Sequence, residues 1–371
     1  MRVLVTGGAG FIGSHTIDCL LEHGHEVRIL DALVPQVHGK DREQPSYLAS
    51  QVEFIVGSVE DPVAVSQALA GVDSVIHLAS AIGVGQSMYH IVDYCTTNVL
   101  GTATLLQALI DSKRQLKSLV VAASMSAYGE GRYRAPAGHL ANPEVRSEAQ
   151  LLAGDWEVRD ATGNLLQPVP TDEQKPLTPT SVYAINKRDQ EEMCLCVGAA
   201  YGIPTTALRL FNVYGSRQAL SNPYTGVAAI FCARLLNDRP PLIFEDGQQR
   251  RDFVHVQDVA CAMVAAAENP VPGEALNIGS GEALSVKEVA EILALAMNKD
   301  IQPQLVGKYR RGDIRHCFAD IAKAQRLLAW QPSRTFRYGV SELIEWVQMQ
   351  WAARDGVNSA WAELQQRGLL V

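Results

Sequence analysis

Three features of the sequence predict an α/β fold, a doubly wound parallel sheet with a smaller, interleaved C-terminal α/β lobe. Short apolar runs alternate with amphipathic stretches through the first half of the chain. The apolar runs are continuous Val/Ile/Leu segments, as in strands covered on both faces. A glycine-rich string joins the first run to the first amphipathic stretch. Alternation of this kind builds a parallel sheet with helices on both sides.

The expected strands are Arg2–Thr6, Glu26–Leu30, Val52–Val56, Ser74–Ala79, Ser118–Ser124 and Thr205–Phe211. Helical patterns fall between them at Ser14–Glu22, Val63–Ala70, Thr97–Ile110 and Tyr183–Ala200. After Asn212 the rhythm loosens, with helices expected near Thr225–Asn237, Val256–Glu268 and Ser285–Met297. Ser285 followed by Glu288 is a capping-box signature. The tail, Phe336–Ala352 and Ala360–Gly368, reads as further helix. The expected division is residues 1–211 for the sheet domain and 212–371 for the second lobe. Between Glu130 and Thr180 the chain is rich in Gly, Pro, Asn and Asp and shows little periodicity, so an irregular insert is expected there.

Composition narrows the function classes. The chain has 371 residues, 47% of them hydrophobic, enough for a substantial core. Its formal charge is 32 − 40 = −8, so it lacks the basic excess of a nucleic-acid binder. Phosphate groups must then be caught by local donors. No apolar run approaches the roughly 18 residues of a membrane span, and the opening strand carries no basic export signal. The seven cysteines are scattered, without CxxC pairs, which fits buried thiols and a cytoplasmic setting.

Gly7, Gly10 and Gly13 in Thr6-Gly-Gly-Ala-Gly-Phe11-Ile12-Gly13 form a GxxGxxG string between strand and helix. Gly7 permits the turn, Gly10 lets a pyrophosphate approach the backbone, and Gly13 packs helix on sheet, the logic of a Rossmann-type dinucleotide site. The helix N-terminus, with Phe11 and Ile12, faces the phosphates with unpaired N–H groups. Asp31 closes the second strand, where a carboxylate bonds ribose hydroxyls and repels a 2′-phosphate, which favours NAD over NADP. Ser58 and Val59 follow the third strand, where adenine is expected to pack. Leu78, Ala79 and Ser80 lie at the carboxyl edge of the fourth strand. His77 is read as a buried structural histidine.

Tyr183 and Lys187 are four residues apart, hence on one face of a helix. Ser124 ends an intervening strand. With these motifs in hand, the chain resembles the extended short-chain dehydrogenase/reductases of the nucleotide-sugar epimerase/dehydratase family, over nearly its whole length. Asn98, Arg209-x-x-Asn212-x-Tyr214-Gly215, Arg251-Asp252-Phe253-Val254-His255-Val256-x-Asp258 and Arg310-x-Gly312-Asp313 match the family's later signatures. The resemblance implies Ser124, Tyr183 and Lys187 as the catalytic trio and Asn98 among the NAD contacts. It also implies a C-terminal lobe that binds a nucleoside-diphosphate sugar, with Ser126, Asn212, Arg251, Arg310 and Asp313 as substrate contacts. Relatives usually dimerise through two helices, one carrying the Tyr/Lys pair, so a homodimer is expected.

In family dehydratases and decarboxylases a glutamate near the catalytic Ser/Thr drives chemistry after the first oxidation. Here Ser124 is followed by Met125-Ser126-Ala127-Tyr128, with no carboxylate. Oxidation at C4 and return of the hydride remain, which is 4-epimerisation. The overall pattern, including the insert and Gln218–Gly226, is similar to dTDP-L-rhamnose 4-epimerases. A UDP-glucose 4-epimerase is the runner-up, ahead of a net 4-ketosugar reductase and a non-catalytic NAD-binding protein. In related sequences cysteine pairs resembling a zinc ribbon are expected in the insert; here no cysteine lies between Cys95 and Cys194. No metal site is expected.

Overall fold

The computed structural model describes residues 1–40, 42–219, 226–349 and 357–370. Its central sheet has seven parallel strands: β1 (Arg2–Thr6), β2 (Glu26–Asp31), β3 (Glu53–Val56), β4 (Ser74–His77), β5 (Ser118–Ser124), β6 (Thr205–Leu210) and β7 (Glu274–Ile278). Their spatial order is β3-β2-β1-β4-β5-β6-β7. Thr6 pairs with Leu30 on one side and His77 on the other, so the strand ends align. The order reverses beside β1, which opens the ligand crevice of a doubly wound sheet at the carboxyl ends of the strands.

Alternating side chains serve two helical layers. Val3 and Val5 pack with α1 (Phe11–Glu22) and a later helix, Val256–Glu268, through Ile17, Leu20, Val259 and Met263. Leu4 faces the opposite layer, formed by α2 (Pro62–Leu69), α3 (Gly101–Asp111) and α4 (Val182–Tyr201), through Val65, Leu105, Leu109 and Cys194. The six expected strands form, most shifted at one end by one or two residues. β7 was not anticipated: its Glu274-Ala-Leu-Asn-Ile run is short and half polar, and pairing with β6 makes it a strand. The chain therefore returns to the sheet long after residue 212.

The second lobe contains α5 (Val227–Leu236), α7 (Val286–Ala296) and α8 (Phe336–Met349), with α6 (Val256–Glu268) crossing back to the sheet. Phe231, Leu235, Leu293, Phe336 and Leu343 form its core. The Ser285/Glu288 capping box is present in both directions, at 2.8 and 3.1 Å. The final helix is α9 (Val357–Gln366). Of the Gln218–Gly226 string, residues 220–225 lie outside the described residues. No described helix is long and apolar enough to cross a membrane. Among the cysteines Cys196 and Cys261 are exposed, against the expectation of burial throughout.

The insert is more ordered than its sequence suggests. Arg132–Arg134 pairs antiparallel with both Leu140–Ala141 and Gln167–Val169, around a small core of Tyr133, Ala135, Val158 and Leu166. The Gln167–Val169 partner lies over thirty residues away, too far to leave a local periodicity. A buried charge network fastens the insert to the second lobe. Arg315, fully buried, reaches Glu245 Oε2 at 2.9 Å, Asp246 Oδ1 at 2.7 Å and Glu157 Oε1 at 2.6 Å. Arg146 of the insert donates to Glu245 Oε1 at 2.8 Å.

His316 and Arg315 hold the Glu157 carboxyl down to about 2 from an ordinary 4.5, and Arg315 holds Asp246 below its usual range against the cost of its burial. The folded chain thus binds fewer protons than the unfolded chain at these groups. Their support is complete above pH 4.5 and is lost as pH falls towards about 2. Amide exchange in the insert strands is expected to rise across that window before exchange in β1 does; simultaneous loss of protection would contradict this.

Candidate active site

The glycine string forms the floor of the crevice. Gly7 has φ +69°, and a Cβ there would lie 2.8 Å from the Ala79 nitrogen, so only glycine fits the turn. A Cβ at Gly13 would stand 2.4 Å from the Gly7 carbonyl oxygen, which is how α1 seats directly on the turn. Gly10 caps α1 without a side-chain bond, and a Cβ there would meet only Gly7 O, at 3.3 Å. Its outer side is open above the first N–H groups of the helix, at Phe11 and Ile12, where a pyrophosphate fits. Gly13→Ala is expected to cost about 1–3 kcal/mol and to strip NAD from the purified protein; retained NAD at unchanged Tm would contradict this packing role.

Asp31 sits beside the string, its Oδ2 accepting the Ala9 N–H and its Oδ1 the Leu33 N–H, both at 2.9 Å. These donors fix the carboxylate beside the glycine string. Two neighbours had no motif to reveal them: His38 Nε2 lies 3.8 Å from Asp31 Oδ1, and Tyr47 OH donates to Ala9 O at 2.9 Å. Burial lowers the His38 pKa.

Val59 is buried against Gly101, where a Cβ would be 2.6 Å from its Cγ2, and Ser58 Oγ accepts the Glu60 N–H at 3.2 Å. Leu78 N–H bonds Thr6 O at 3.1 Å, and Ala79 N–H bonds Thr6 Oγ1 at 3.3 Å. Asn98 lies in a π-helical turn, Cys95–Leu100. Its Oδ1 accepts from Ser80 Oγ at 3.0 Å and Ala81 N at 2.7 Å, and its Nδ2 donates to Ala81 O at 3.1 Å. Asn98 thus braces the loop after β4. His77 is structural, bonded to Thr6 Oγ1 and Thr102 Oγ1; burial and Lys187 push its pKa down to about 3.

The reacting groups meet where β5 and α4 pack. Ser124 ends β5; its hydroxyl lies beside Tyr183 and accepts from Ser126 Oγ at 2.9 Å. α4 begins at Ser181, whose Oγ accepts the Ala184 N–H at 3.2 Å, so Tyr183 lies in its first turn and Lys187 one turn on. Burial raises the Tyr183 pKa, and the Ser124 bond offsets part of this. Lys187 donates to Gln190 Oε1 at 2.9 Å and is pushed down to about 8 by burial. The protein groups alone do not lower Tyr183, and the Lys187 ammonium is turned to Gln190.

Ser126, Asn212, Arg251, Arg310 and Asp313 all line one cavity of about 340 Å³ between the lobes. Arg251 is aimed by carbonyls, donating to Arg315 O at 2.8 Å and Ile314 O at 2.6 Å. No carboxylate pairs with it among the described residues. Arg310 Nε donates to Asp313 Oδ2 at 2.8 Å, and its guanidinium lies 4.9 Å from the Phe244 ring centroid. Asp313 therefore orients Arg310. Asn212 Oδ1 is buried without a partner. Glu245, which no motif flagged, lines the same cavity at φ +52°, an uncommon conformation for a residue with a Cβ.

The comparisons agree with this geometry. A model of the NAD dependent epimerase/dehydratase family matches residues 3–279. A dTDP-L-rhamnose 4-epimerase from Burkholderia thailandensis is 35% identical, covering 94% of this chain and 95% of its own. A UDP-glucose 4-epimerase from Thermotoga maritima, solved with UDP-glucose, superposes with a TM-score of 0.77 at 30% identity, covering 94% of this chain and 99% of that one. A Bacillus cereus UDP-glucuronic acid 4-epimerase, solved with UDP-glucuronic acid and NAD, gives 0.77 at 27% identity, covering 94% and 100%. From its seven-stranded Rossmann sheet, its glycine cradle and these matches, the chain belongs to the NAD-dependent epimerase/dehydratase family.

Proposed function

We propose that this enzyme is a nucleotide-sugar 4-epimerase and that its substrate is dTDP-L-rhamnose, interconverted with dTDP-6-deoxy-L-talose. The observation that carries the reaction type is the lack of an available base for any second step. Ser124 is followed by Met125 and Ser126. The two cavity carboxylates are engaged: Glu245 by Arg146 and Arg315, Asp313 by Arg310. Elimination would need a free one to take the C5 proton. The choice of dTDP-L-rhamnose rests on the 35% identity to the Burkholderia enzyme.

In this reading Tyr183 takes the proton of the sugar 4-hydroxyl, and Ser124 holds the same oxygen while bonded to Tyr183. The glycine cradle of Gly7, Gly10 and Gly13, with Asp31, would hold NAD, which would supply the acceptor and donor of the C4 hydride. Lys187 supplies a cation that favours the phenolate once its ammonium leaves Gln190. Arg251, Arg310 and Asn212 hold the diphosphate, leaving the sugar as the part that turns. After the hydride returns, Tyr183 gives its proton back to the C4 oxygen, so neither group is consumed.

We also infer a homodimer. Val92, Leu100 and Ile185 are 75%, 54% and 40% exposed, on the turns before α3 and on adjacent α4, the pair of helices expected to dimerise. Sedimentation should report twice the chain mass. All seven cysteines are free thiols, which supports the cytoplasmic assignment.

The test of function is NMR of separate incubations with dTDP-L-rhamnose and UDP-galactose, without added cofactor. Faster inversion of the dTDP sugar supports the reading. Inversion of the UDP sugar alone favours the runner-up, a UDP-glucose 4-epimerase, for which similar solved enzymes exist. No C4 inversion in any nucleotide hexose overturns both.

A further inference from the structure

The last helix, α9, lies across the mouth of the cleft and touches both walls. Trp361 and Leu364 line the cavity alongside Ser126 and Asn212. On the second-lobe side Trp361 stacks on Phe244, with ring centroids 5.3 Å apart and planes 25° from parallel. The chain beyond α9 is tied to the same wall, with Arg311 N–H on Leu369 O at 3.2 Å and an antiparallel bridge from Arg310 to Leu370. On the sheet side Tyr89 OH donates to Glu363 Oε2 at 3.1 Å. The Arg367 guanidinium stands 4.0 Å from the Tyr89 ring centroid. Tyr89 belongs to the segment after β4, whose Val84 and Gly85 also line the cavity.

We propose that α9 closes the nucleotide-sugar cleft, with Trp361 stacking on the nucleobase and holding the ligand while its oxidised sugar turns over. This rests on the nucleotide-sugar reading above and adds a residue that no sequence motif marks. Trp361 and Phe244 make a wall of two aromatic rings, chemistry that suits a planar heteroaromatic base. A 4-epimerase needs such a hold more than a one-way dehydrogenase does. Its 4-keto sugar must let go of the catalytic wall to present the other face, and at that moment only the nucleotide half keeps it bound. Loss at that stage leaves a reduced cofactor and a free 4-keto nucleotide sugar. The contacts that seat α9 are a ring stack, a few hydrogen bonds and a half-exposed Arg367–Glu363 pair, so the helix can release for exchange, as lids do.

The test compares the parent protein with Trp361→Ala and Trp361→Phe. Trp361→Ala is expected to raise KM, and the dissociation constant for dTDP or UDP, by about tenfold, the loss of one base–aromatic stack. It should also accumulate reduced cofactor and release 4-keto sugar, trapped by borohydride, while Trp361→Phe restores all three values. Titration with dTDP or UDP should quench a tryptophan signal that is missing in Trp361→Phe. Unchanged nucleotide affinity in Trp361→Ala, with no extra reduced cofactor, would overturn the proposal. If the parent inverts no nucleotide sugar, the epimerase reading falls, and the titration still decides on Trp361: a quench that Trp361→Phe lacks upholds stacking, and its absence refutes it.

Discussion

Tyr183→Phe is expected to lower turnover by about 10²–10⁴-fold, the range for removal of a general acid–base group, while the purified protein keeps its NAD. The reason is the proton inventory of the site. A free tyrosine titrates near 10, and bringing it to neutrality takes about 3 units, or about 4 kcal/mol. The protein groups alone work against this, because burial raises Tyr183 and the Ser124 bond relieves only part of the rise. A cation at about 4 Å and an effective dielectric near 20 supplies about 4 kcal/mol. Lys187, still charged at neutrality with its pKa near 8, is the protein's source of that field once its ammonium leaves Gln190. Lys187→Met is therefore expected to move the alkaline-going limb of the kcat profile upward in pH. Undiminished turnover in Tyr183→Phe would remove Tyr183 as the base.

Arg315→Met is expected to destabilise the fold by about 3 kcal/mol, the low end of the cost of breaking a buried ion pair, because only Glu245 of its three carboxylates is buried and Arg146 still reaches it. Arg315 is fully buried and serves Glu245, Asp246 and Glu157 at once. At about 2–4 °C per kcal/mol, Tm should fall by roughly 10 °C. Because Glu245 lines the cleft, KM should rise in the same variant while kcat changes less. An unchanged Tm would mean that the network does not hold the insert to the second lobe.

Much of this was legible in the sequence because the physics is local. A glycine needed for a positive φ, a carboxylate at a strand end, and a Tyr and Lys one helical turn apart are short-range facts. The structure sets Gly7, Asp31, Ser124, Tyr183 and Lys187 along one crevice. Tertiary pairing hid the rest. β7 is a strand through its neighbour β6, and Arg132–Arg134 finds one of its partners, Gln167–Val169, far along the chain. Glu245 gains its role from Arg146 and Arg315, which lie distant from it in sequence. Trp361 reads as one more apolar position in a tail helix until Phe244 and the cavity lie beside it. The same limit applied to Lys187: spacing placed it near Tyr183, but not its bond to Gln190.

The most direct measurement uses a nucleotide sugar labelled with deuterium at C4, incubated without added cofactor and followed by NMR and mass spectrometry. A 4-epimerase that returns the hydride within one bound complex leaves the deuterium on C4 of both epimers, with none lost to solvent or to free nicotinamide. Deuterium appearing on free cofactor, or product formed only with stoichiometric NAD(P)H, would contradict the account and identify a net oxidoreductase.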